Sequence, residues 1–233
     1  MVLGSQLSYL PYIDNELLKV VGEGFIFDKE LKTSVSITIE KVAKSTDKIF
    51  YIFLKDDNTV KTGECRVKLG MVVFGCVSKM DSWSFSPPST TQDKIFFKDL
   101  REKVVVGEDS IFIDTIYSYG RLTYNGIGRA LIQSVVEYGR RKKCFKIFVK
   151  AVTGSQGFYY KLLFRSASRD QKLKVMQDEE IEKAIDESST TLEPCCSTVL
   201  PLWMQVSLSG KDGLSKKEEI SPILFKKKNN LQF

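Results

Sequence analysis

Hydrophobic and polar side chains follow three successive patterns between residues 110 and 164. Residues 110–116 form a β-prone run, with Ile111, Ile113 and Thr115 on one face and Phe112, Asp114 and Ile116 on the other, and 144–151 alternate, so a β-strand is predicted at each place. Between these strands, apolar residues recur at three- and four-residue spacing, which predicts an amphipathic helix over 126–139. Gly139 and the four cations after it are typical of a helix end. This stretch therefore predicts a strand, a loop, a helix and a second strand in succession.

Weaker patterns flank this unit. Residues 15–21 predict a short helix, whereas 34–44 fit a helix and a strand equally well. Residues 82–93 have the prolines, serines and threonines of a loop, followed at 92–102 by a short helix or an irregular connection. An acidic, amphipathic helix is predicted at 171–188. The other predicted strands are 50–54, 59–69, 71–77 and 198–208.

Composition is typical of one globular domain, since 42% of the 233 residues are hydrophobic and 27% are charged. We assign residues 1–208 to this domain, with 110–165 as its functional core, and 209–233 to a polar, basic tail. No stretch is apolar enough for a signal or a membrane span. The five cysteines show no CxxC spacing and no leader precedes them, which argues against disulfides. We expect a cytoplasmic protein without a metal site.

Histidine is absent, which excludes Ser-His-Asp and Cys-His catalysis and imidazole zinc sites. The formal charge of +6 is unevenly spread, because residues 121–165 hold ten Lys or Arg and a single acid. A block of this kind attracts anions, and both a phosphorylated cofactor and nucleic acid fit that description. Nucleic acid is the less favoured partner, because the chain has no recognition-helix signature and no RNP-like run of aromatics.

Two glycines, Gly126 and Gly128, lie between the predicted strand and the first turn of the helix. Backbone N–H groups there lack helical partners and bind phosphate readily, and glycine lets a pyrophosphate approach the backbone. A tight turn alone would also explain both glycines. Leu131 stands where a dinucleotide fingerprint needs a third glycine or alanine, and the Gly-Lys-Ser/Thr of a P-loop is missing.

The segment resembles the acyl-CoA-binding core of the GCN5-related N-acetyltransferase (GNAT) superfamily, whose loop reads Gln/Arg-x-x-Gly-x-Gly/Ala. Here the loop reads Thr123-Tyr124-Asn125-Gly126-Ile127-Gly128. The superfamily's second phrase, Phe-Tyr-x-x-Leu-Gly-Phe, corresponds to residues 158–164. The resemblance implies an α/β (α+β) fold: a mixed, mostly antiparallel central sheet flanked by helices, with splayed central parallel strands. It also implies acetyl-CoA as cofactor.

The resemblance further implies where the cofactor binds. The residues concerned are Ile116, Tyr117 and Ser118 beside the pantetheine, and Thr123, Tyr124, Asn125, Gly126, Ile127, Gly128, Arg129 and Ala130 around the pyrophosphate. Three positions depart from the superfamily's pattern. Thr123 replaces Gln or Arg, Leu163 replaces Gly, and Ser118 replaces an aliphatic residue.

Acyl transfer to an amine needs a proton acceptor for the amine and a proton donor for the departing thiolate. Tyr159 matches the superfamily's general acid, with simple packing over the strands as the alternative. Asp114 is the preferred base, because strand alternation predicts apolar neighbours for it; a solvated or salt-bridged Asp114 is the alternative. Tyr160 and Tyr117 are reserve candidates.

The leading prediction is therefore an N-acetyltransferase that moves an acetyl group from acetyl-CoA to a primary amine by direct transfer in a ternary complex. The acceptor, a protein lysine, an N-terminus or a small amine, is not specified by the sequence. One alternative is an inactive module on the same fold whose basic face contacts a protein or nucleic acid. Another is transfer of a longer acyl or aminoacyl group.

Overall fold

A computed structural model describes residues 18–42, 48–55, 67–77, 110–152, 154–168, 170–190 and 202–208, without the side chains of 76–77 and 187–190. The strands in these ranges are β1 (Leu18–Asp28), β2 (Thr33–Val42), β3 (Lys48–Leu54), β4 (Lys68–Val77), β5 (Ser110–Ser118), β6 (Tyr124–Asn125), β7 (Lys146–Ala151), β8 (Arg165–Ser166) and β9 (Leu202–Ser207). The helices are α1 (Ile127–Arg141), α2 (Gln156–Lys161) and α3 (Gln171–Thr190).

These strands form one sheet in the order β6-β1-β2-β3-β4-β5-β7-β9-β8. Among its described pairs, the pair β5 and β7 is parallel and the others are antiparallel. The connection between β5 and β7 runs through α1, as a crossover between parallel strands requires. The structure thus confirms the predicted mixed, mostly antiparallel sheet with flanking helices.

Helix α1 packs its apolar face on the sheet. Phe50 from β3, Phe74 from β4 and Tyr138 from α1 meet edge to face, with ring centroids 4.9 to 5.9 Å apart. The helix passes Gly139, where a Cβ would lie 2.6 Å from Leu208 and 2.9 Å from Ile111. The prediction that Gly139 ends the helix is therefore wrong, because this glycine serves close packing and α1 continues to Arg141.

The first strand shows why sequence periodicity failed near the N-terminus. A helix was predicted over 15–21, but β1 begins at Leu18 and pairs with β2, which also decides the ambiguous stretch 34–44. Within the mispredicted stretch, the adjacent residues Val20 and Val21 are both apolar and partly buried, and a bulge lies between Val20 and Gly22. Apolar residues on both faces erase the alternation that reveals a strand.

Other predicted elements agree with the structure where it describes them. The strands predicted at 50–54, 71–77 and 110–116 correspond to β3, β4 and β5, and those at 144–151 and 198–208 to β7 and β9. The acidic helix corresponds to α3. The loop at 82–93, the connection at 92–102 and the tail 209–233 lie outside the described residues. Within the described residues, no helix is long and apolar enough to cross a membrane.

Candidate functional site

Strands β5 and β7 separate part-way along their length. They pair in parallel from Ser110 with Lys146 to Ile113 with Val149. Beyond these residues, the described partner of β5 is β4 and that of β7 is β9. Among the described residues, the parallel pairing of β5 and β7 thus ends at Ile113 and Val149, while β5 continues to Ser118 and β7 to Ala151. This fits the splay that the resemblance implied, and we call the space beyond the last pair the gap.

Asp114 is the first residue of β5 after the parallel pairing ends. It is also an extra residue in the strand, because Val73 of β4 pairs with Thr115 while Phe74 pairs with Ile113. This bulge breaks the strand alternation, so the Asp114 side chain is exposed and accepts a 3.0 Å hydrogen bond from Thr115 Oγ1. The prediction that Asp114 lies among apolar neighbours is wrong, although the residue does lie at the start of the gap.

The loop after β5 is held by backbone hydrogen bonds. The N–H of Tyr119 donates to the carbonyl of Leu69 at 2.8 Å, and the N–H of Tyr124 donates to the carbonyl of Gly120 at 2.8 Å. Strand β6 then pairs with the end of β1. The turn after β1 adds two further bonds, from Lys29 N–H to the Thr123 carbonyl at 2.9 Å and from Lys29 Nζ to the Arg121 carbonyl at 2.8 Å. Sequence reasoning missed this support from the N-terminal hairpin, since no local signal links Lys29 to residue 121 or 123.

The amino terminus of α1 offers hydrogen-bond donors without competing negative charge. Gly126 caps the helix in the left-handed conformation, with a φ of 98°, and the first helical bond runs from Ala130 N–H to Gly126 O at 2.9 Å. The N–H groups of Ile127, Gly128 and Arg129 precede that bond and so lack helical acceptors. The first turn contains no acidic residue. This arrangement suits an anion.

The predicted cofactor-binding residues differ in what they can offer at this site. Ile127 and Ala130 are buried in the core beneath the first turn, so only their backbone can contact a ligand. The exposed members of the set are Tyr117, Asn125, Gly126 and Arg129, and the partly buried ones are Ile116, Ser118, Thr123, Tyr124 and Gly128. The loop and the first turn therefore present backbone, the amide of Asn125 and the guanidinium of Arg129, together with that of Arg121, which is exposed in the same loop but was not among the predicted cofactor-binding residues.

The two glycines of the motif serve different purposes. Gly126 is required by its positive φ, and a Cβ there would meet only Ile26, at 3.9 Å. At Gly128, by contrast, a Cβ would lie 3.0 Å from Cζ of Phe158 in α2. We predicted that the missing side chain of Gly128 leaves room for pyrophosphate. Instead, the ring of Phe158 occupies the space where a side chain at Gly128 would lie. The contact joins α2 directly to the amino terminus of α1.

Tyr159 follows Phe158 and points into the core, where its side chain is 4% exposed. Its ring packs edge to face on Phe158 and Phe164, with centroids 5.0 and 5.6 Å away. Burial raises the pKa of Tyr159 to about 12, because the phenolate would lose its hydration. The hydroxyl thus keeps its proton at neutral pH. This environment suits a proton donor and agrees equally with the packing role that the sequence left open.

Tyr160 packs against a neighbouring arginine, and Leu163 has an unusual backbone conformation. The Arg165 guanidinium lies 3.8 Å from the ring centroid of Tyr160 and donates to the Tyr160 carbonyl at 3.0 Å. Burial raises the pKa of Tyr160, and Glu182 and Asp178 add to the rise while Arg165 opposes it. Leu163 takes a positive φ of 66° at the position where the superfamily pattern has glycine.

The acidic helix α3 is attached to this region through Asp178 and Gln177. Asp178 Oδ1 accepts the N–H of Ser166 at 2.7 Å, and Gln177 Oε1 accepts the Ser166 hydroxyl at 2.6 Å. Burial raises the pKa of the Asp178 carboxyl, and the Ser166 hydrogen bond opposes that rise. The start of the acidic stretch thus has a structural role.

Comparisons with known proteins find distant matches among solved structures. No family model and no curated protein matches the chain. A GNAT-family acetyltransferase from Staphylococcus aureus is 10% identical, over 71% of this chain and 70% of that one, with a TM-score of 0.36. A tyrosine-to-phenylalanine mutant of KacT is 18% identical over 54% and 66%, with a TM-score of 0.33. Nourseothricin acetyltransferase is 10% identical over 83% and 88%, with a TM-score of 0.28. Likeness at this level defines neither substrate nor mechanism.

Proposed function

We propose that the chain is an acyl-CoA-dependent N-acyltransferase that moves an acetyl group from acetyl-CoA to a primary amine by direct transfer in a ternary complex. One observation carries the proposal: the parallel pairing of β5 and β7 ends at Ile113 and Val149, and β5 then leads through the glycine loop to a helix amino terminus that has no side-chain cap. A donor with a phosphate end and a long, narrow arm matches a gap of this kind.

The residues of the glycine loop have the chemistry needed to bind the pyrophosphate of acetyl-CoA. Three backbone N–H groups in the first turn of α1 and the exposed guanidinium of Arg129 would hold the pyrophosphate. Arg129 would supply the positive charge that Thr123 lacks relative to the superfamily pattern. The backbone of Ile116, Tyr117 and Ser118 would border the pantetheine. When bound, acetyl-CoA supplies an acyl group activated as a thioester.

Two side chains of the chain are assigned to proton transfer. Tyr159 holds a proton on Oη well above neutral pH, because burial raises its pKa to about 12, so it acts as an acid and not as a base. Asp114 is exposed at the start of the gap, where its carboxylate can accept a proton directly or through water. The acceptor is proposed only as a primary amine.

The deciding experiment is isothermal titration of the purified chain with acetyl-CoA and with CoA. We expect micromolar binding that weakens about tenfold in Arg129→Ala, which corresponds to about 1.4 kcal/mol. Lys172→Ala, which removes an exposed cation on α3, is the matched control and should bind normally. Absence of binding at millimolar ligand would contradict the proposal. If longer acyl-CoAs bind and compete with CoA while acetyl-CoA does not, the proposed donor becomes a longer acyl-CoA and the proposed reaction class, N-acyl transfer, stays the same.

A second candidate function, a module that binds an anionic partner, is favoured by a cluster of lysines at the other end of α1. Lys19 and Lys41 are directly opposite each other on β1 and β2. Burial lowers the pKa of Lys41, and Lys48, Lys19 and Lys142 lower it further. Like charges directly opposite each other on neighbouring strands repel, and their combined field attracts anions. Salt-sensitive retardation of nucleic acid in a gel, together with no CoA binding, would favour this candidate.

A further inference from the structure

A lysine ammonium lies between aromatic rings on the face of the sheet that turns away from α1. Lys68 Nζ is 4.1 Å from the ring centroid of Tyr51 and 5.5 Å from that of Tyr119. Tyr119 in turn stacks on Tyr117, with centroids 6.0 Å apart and planes inclined by 12°. Tyr117 is half exposed, so the cluster of Tyr51, Lys68, Tyr117 and Tyr119 opens to solvent. We call this set the tyrosine-lysine cluster.

A bulge in β4 places Lys68 in this cluster. Ile52 of β3 pairs with Gly70 and Phe53 pairs with Lys68, so Leu69 is an extra residue. Leu69 is buried, and a Cβ on Gly70 would lie 2.8 Å from Ile127 of α1. Leu69 and Gly70 are consecutive in the chain, and both face the α1 side of the sheet because of the bulge. The alternation restarts at the bulge and sends Lys68 to the opposite face, where Tyr51 lies.

The cluster lies directly beside the strand that would border the acyl donor. Tyr51, Met71 and Tyr117 are successive cross-strand partners on β3, β4 and β5. Since neighbouring strands are about 4.8 Å apart, an ammonium above Tyr51 is about 10 Å from the backbone of Tyr117. A lysine side chain covers part of that distance by changing rotamer. The Tyr119 N–H, which donates to the Leu69 carbonyl at 2.8 Å, fixes the two strands next to each other.

We propose that Lys68 is an acyl acceptor within this chain, so that the protein acylates itself at this position. The inference rests on the proposed function, because it needs an acyl-CoA donor. The unprotonated Lys68 Nζ attacks the thioester carbonyl, the new C–N bond forms and the C–S bond breaks. The sulfur leaves as thiolate and takes a proton, the amine nitrogen loses one proton, and an amide and free CoA remain.

Two opposing effects act on the Lys68 amine. Burial lowers the pKa of Lys68 and so increases the fraction that can attack. The ring faces favour the ammonium and hold the side chain beside the donor strand until it is released. Acylation removes the charge, so the cation–π contacts with Tyr51 and Tyr119 would be lost and the surface next to Tyr117 would change.

The test is to incubate the full chain with acetyl-CoA and to locate the added acetyl groups by intact mass and peptide mapping. We expect Lys68 to be acetylated at least about tenfold faster than Lys55, the comparison lysine near the end of β3 on the adjacent strand. The rate constant should not depend on protein concentration, and excess CoA should suppress it. Lys68→Arg, which keeps the charge, should abolish this early event, while Lys55→Arg should leave it unchanged.

A second measurement uses an acetylating reagent that does not need the cofactor site, which separates self-acylation of Lys68 from the proposed acyltransferase function. A trace of acetic anhydride reports the intrinsic reactivity of each lysine, including the lowered pKa of Lys68 and the 3.3 Å ion pair of Lys55 with Glu23. The ratio of Lys68 to Lys55 acetylation should be at least about tenfold larger with acetyl-CoA than with the anhydride. If titration shows CoA binding but Lys68 and Lys55 react equally with acetyl-CoA, self-acylation is wrong and the proposed function remains. If CoA does not bind and acetyl-CoA modifies Lys68 no faster than Lys55, both are overturned.

Discussion

The two ends of α1 both attract anions, but for different physical reasons. At the amino end, the attraction comes from backbone N–H groups arranged by Gly126, with Arg129 as the one cation of the first turn. At the carboxyl end it comes from side chains alone: Arg140 and Arg141 in the last turn, and Lys142 close enough to Lys41 to lower the pKa of Lys41.

This difference shows that the density of cations does not locate the proposed cofactor site. Four of the ten basic residues between 121 and 165 lie together at the far end of the helix, at positions 140–143, which a bare count of charges cannot reveal. A directional set of backbone donors is specific for a small phosphate group, whereas flexible lysines form a diffuse field. The predictions below contrast the two ends, from the largest expected effect to the smallest.

Replacing Tyr159 by Phe should have the largest effect on acyl transfer. We expect kcat to fall by about 100-fold or more while CoA affinity stays nearly constant, because the hydroxyl donates a proton and the ring keeps the packing. Tyr138→Phe, near the carboxyl end of α1, is the matched control and should keep its kcat. Loss of CoA binding in Tyr159→Phe would instead assign this residue to structure.

The pH dependence follows from the same buried hydroxyl. Because burial raises the pKa of Tyr159 to about 12, this acid stays protonated as the pH rises, and its ionisation should not reduce kcat below about pH 11. The check is a pH-rate profile that compares the chain with Tyr159→Phe. A fall in kcat near pH 9 that disappears in Tyr159→Phe would contradict this assignment.

Gly126→Val should disrupt the amino end of α1. A β-branched residue at a φ of 98° costs about 2–3 kcal/mol, which would distort the first turn and weaken CoA binding at least about tenfold. Gly154→Val is the control for strain alone, since Gly154 also has a positive φ, of 83°, and a Cβ there meets no atom within 4 Å. Calorimetry and thermal unfolding of both variants separate binding from stability. Equal loss of CoA affinity in the two would show that the loop has no special role.

Gly128→Ala should displace Phe158, because the added Cβ would lie 3.0 Å from the ring. We expect about 1–2 kcal/mol less stability and a lower kcat, as α2 and Tyr159 shift away from α1. Shortening the opposing side chain in Gly128→Ala/Phe158→Leu should recover part of both losses, with a coupling free energy of at least about 0.5 kcal/mol. Additive effects in this double-mutant cycle would mean that the Gly128 and Phe158 contact does not position α2.

Lys41→Gln, at the carboxyl end, should have the smallest effect. Removing one of several like charges should stabilise the fold by at most about 0.5 kcal/mol at low salt, since the charges are largely solvated, and should leave CoA affinity unchanged. The pKa of Lys41 is lowered in the folded chain, so stability should rise as the pH passes that lowered value, and the rise is complete above the unfolded value. This rise should be absent in the variant. Weaker CoA binding in Lys41→Gln would show that the two ends are coupled.

Local patterns were sufficient for the unit that carries the proposed site. The helical spacing of α1 was readable because the helix has a buried and an exposed face, and β5 and β7 were readable as short β-prone runs whose paired apolar residues are buried on both faces. The same reasoning failed on β1, where the adjacent residues Val20 and Val21 are both apolar and partly buried. It also failed at Asp114 and Gly139, where a bulge and a close packing contact override the local pattern.

The sequence by itself determined the order of β5, loop, α1 and β7, the glycines at the helix start, and the absence of histidine chemistry. These depend on residues close together in the chain, whose spacing is fixed by covalent geometry. Only the tertiary structure decided that Phe158 occupies the space at Gly128, that Lys29 supports the glycine loop, and that Lys68 lies against Tyr51 and Tyr119. Such contacts depend on strand register and on bulges, which long-range pairing sets and no local spacing encodes.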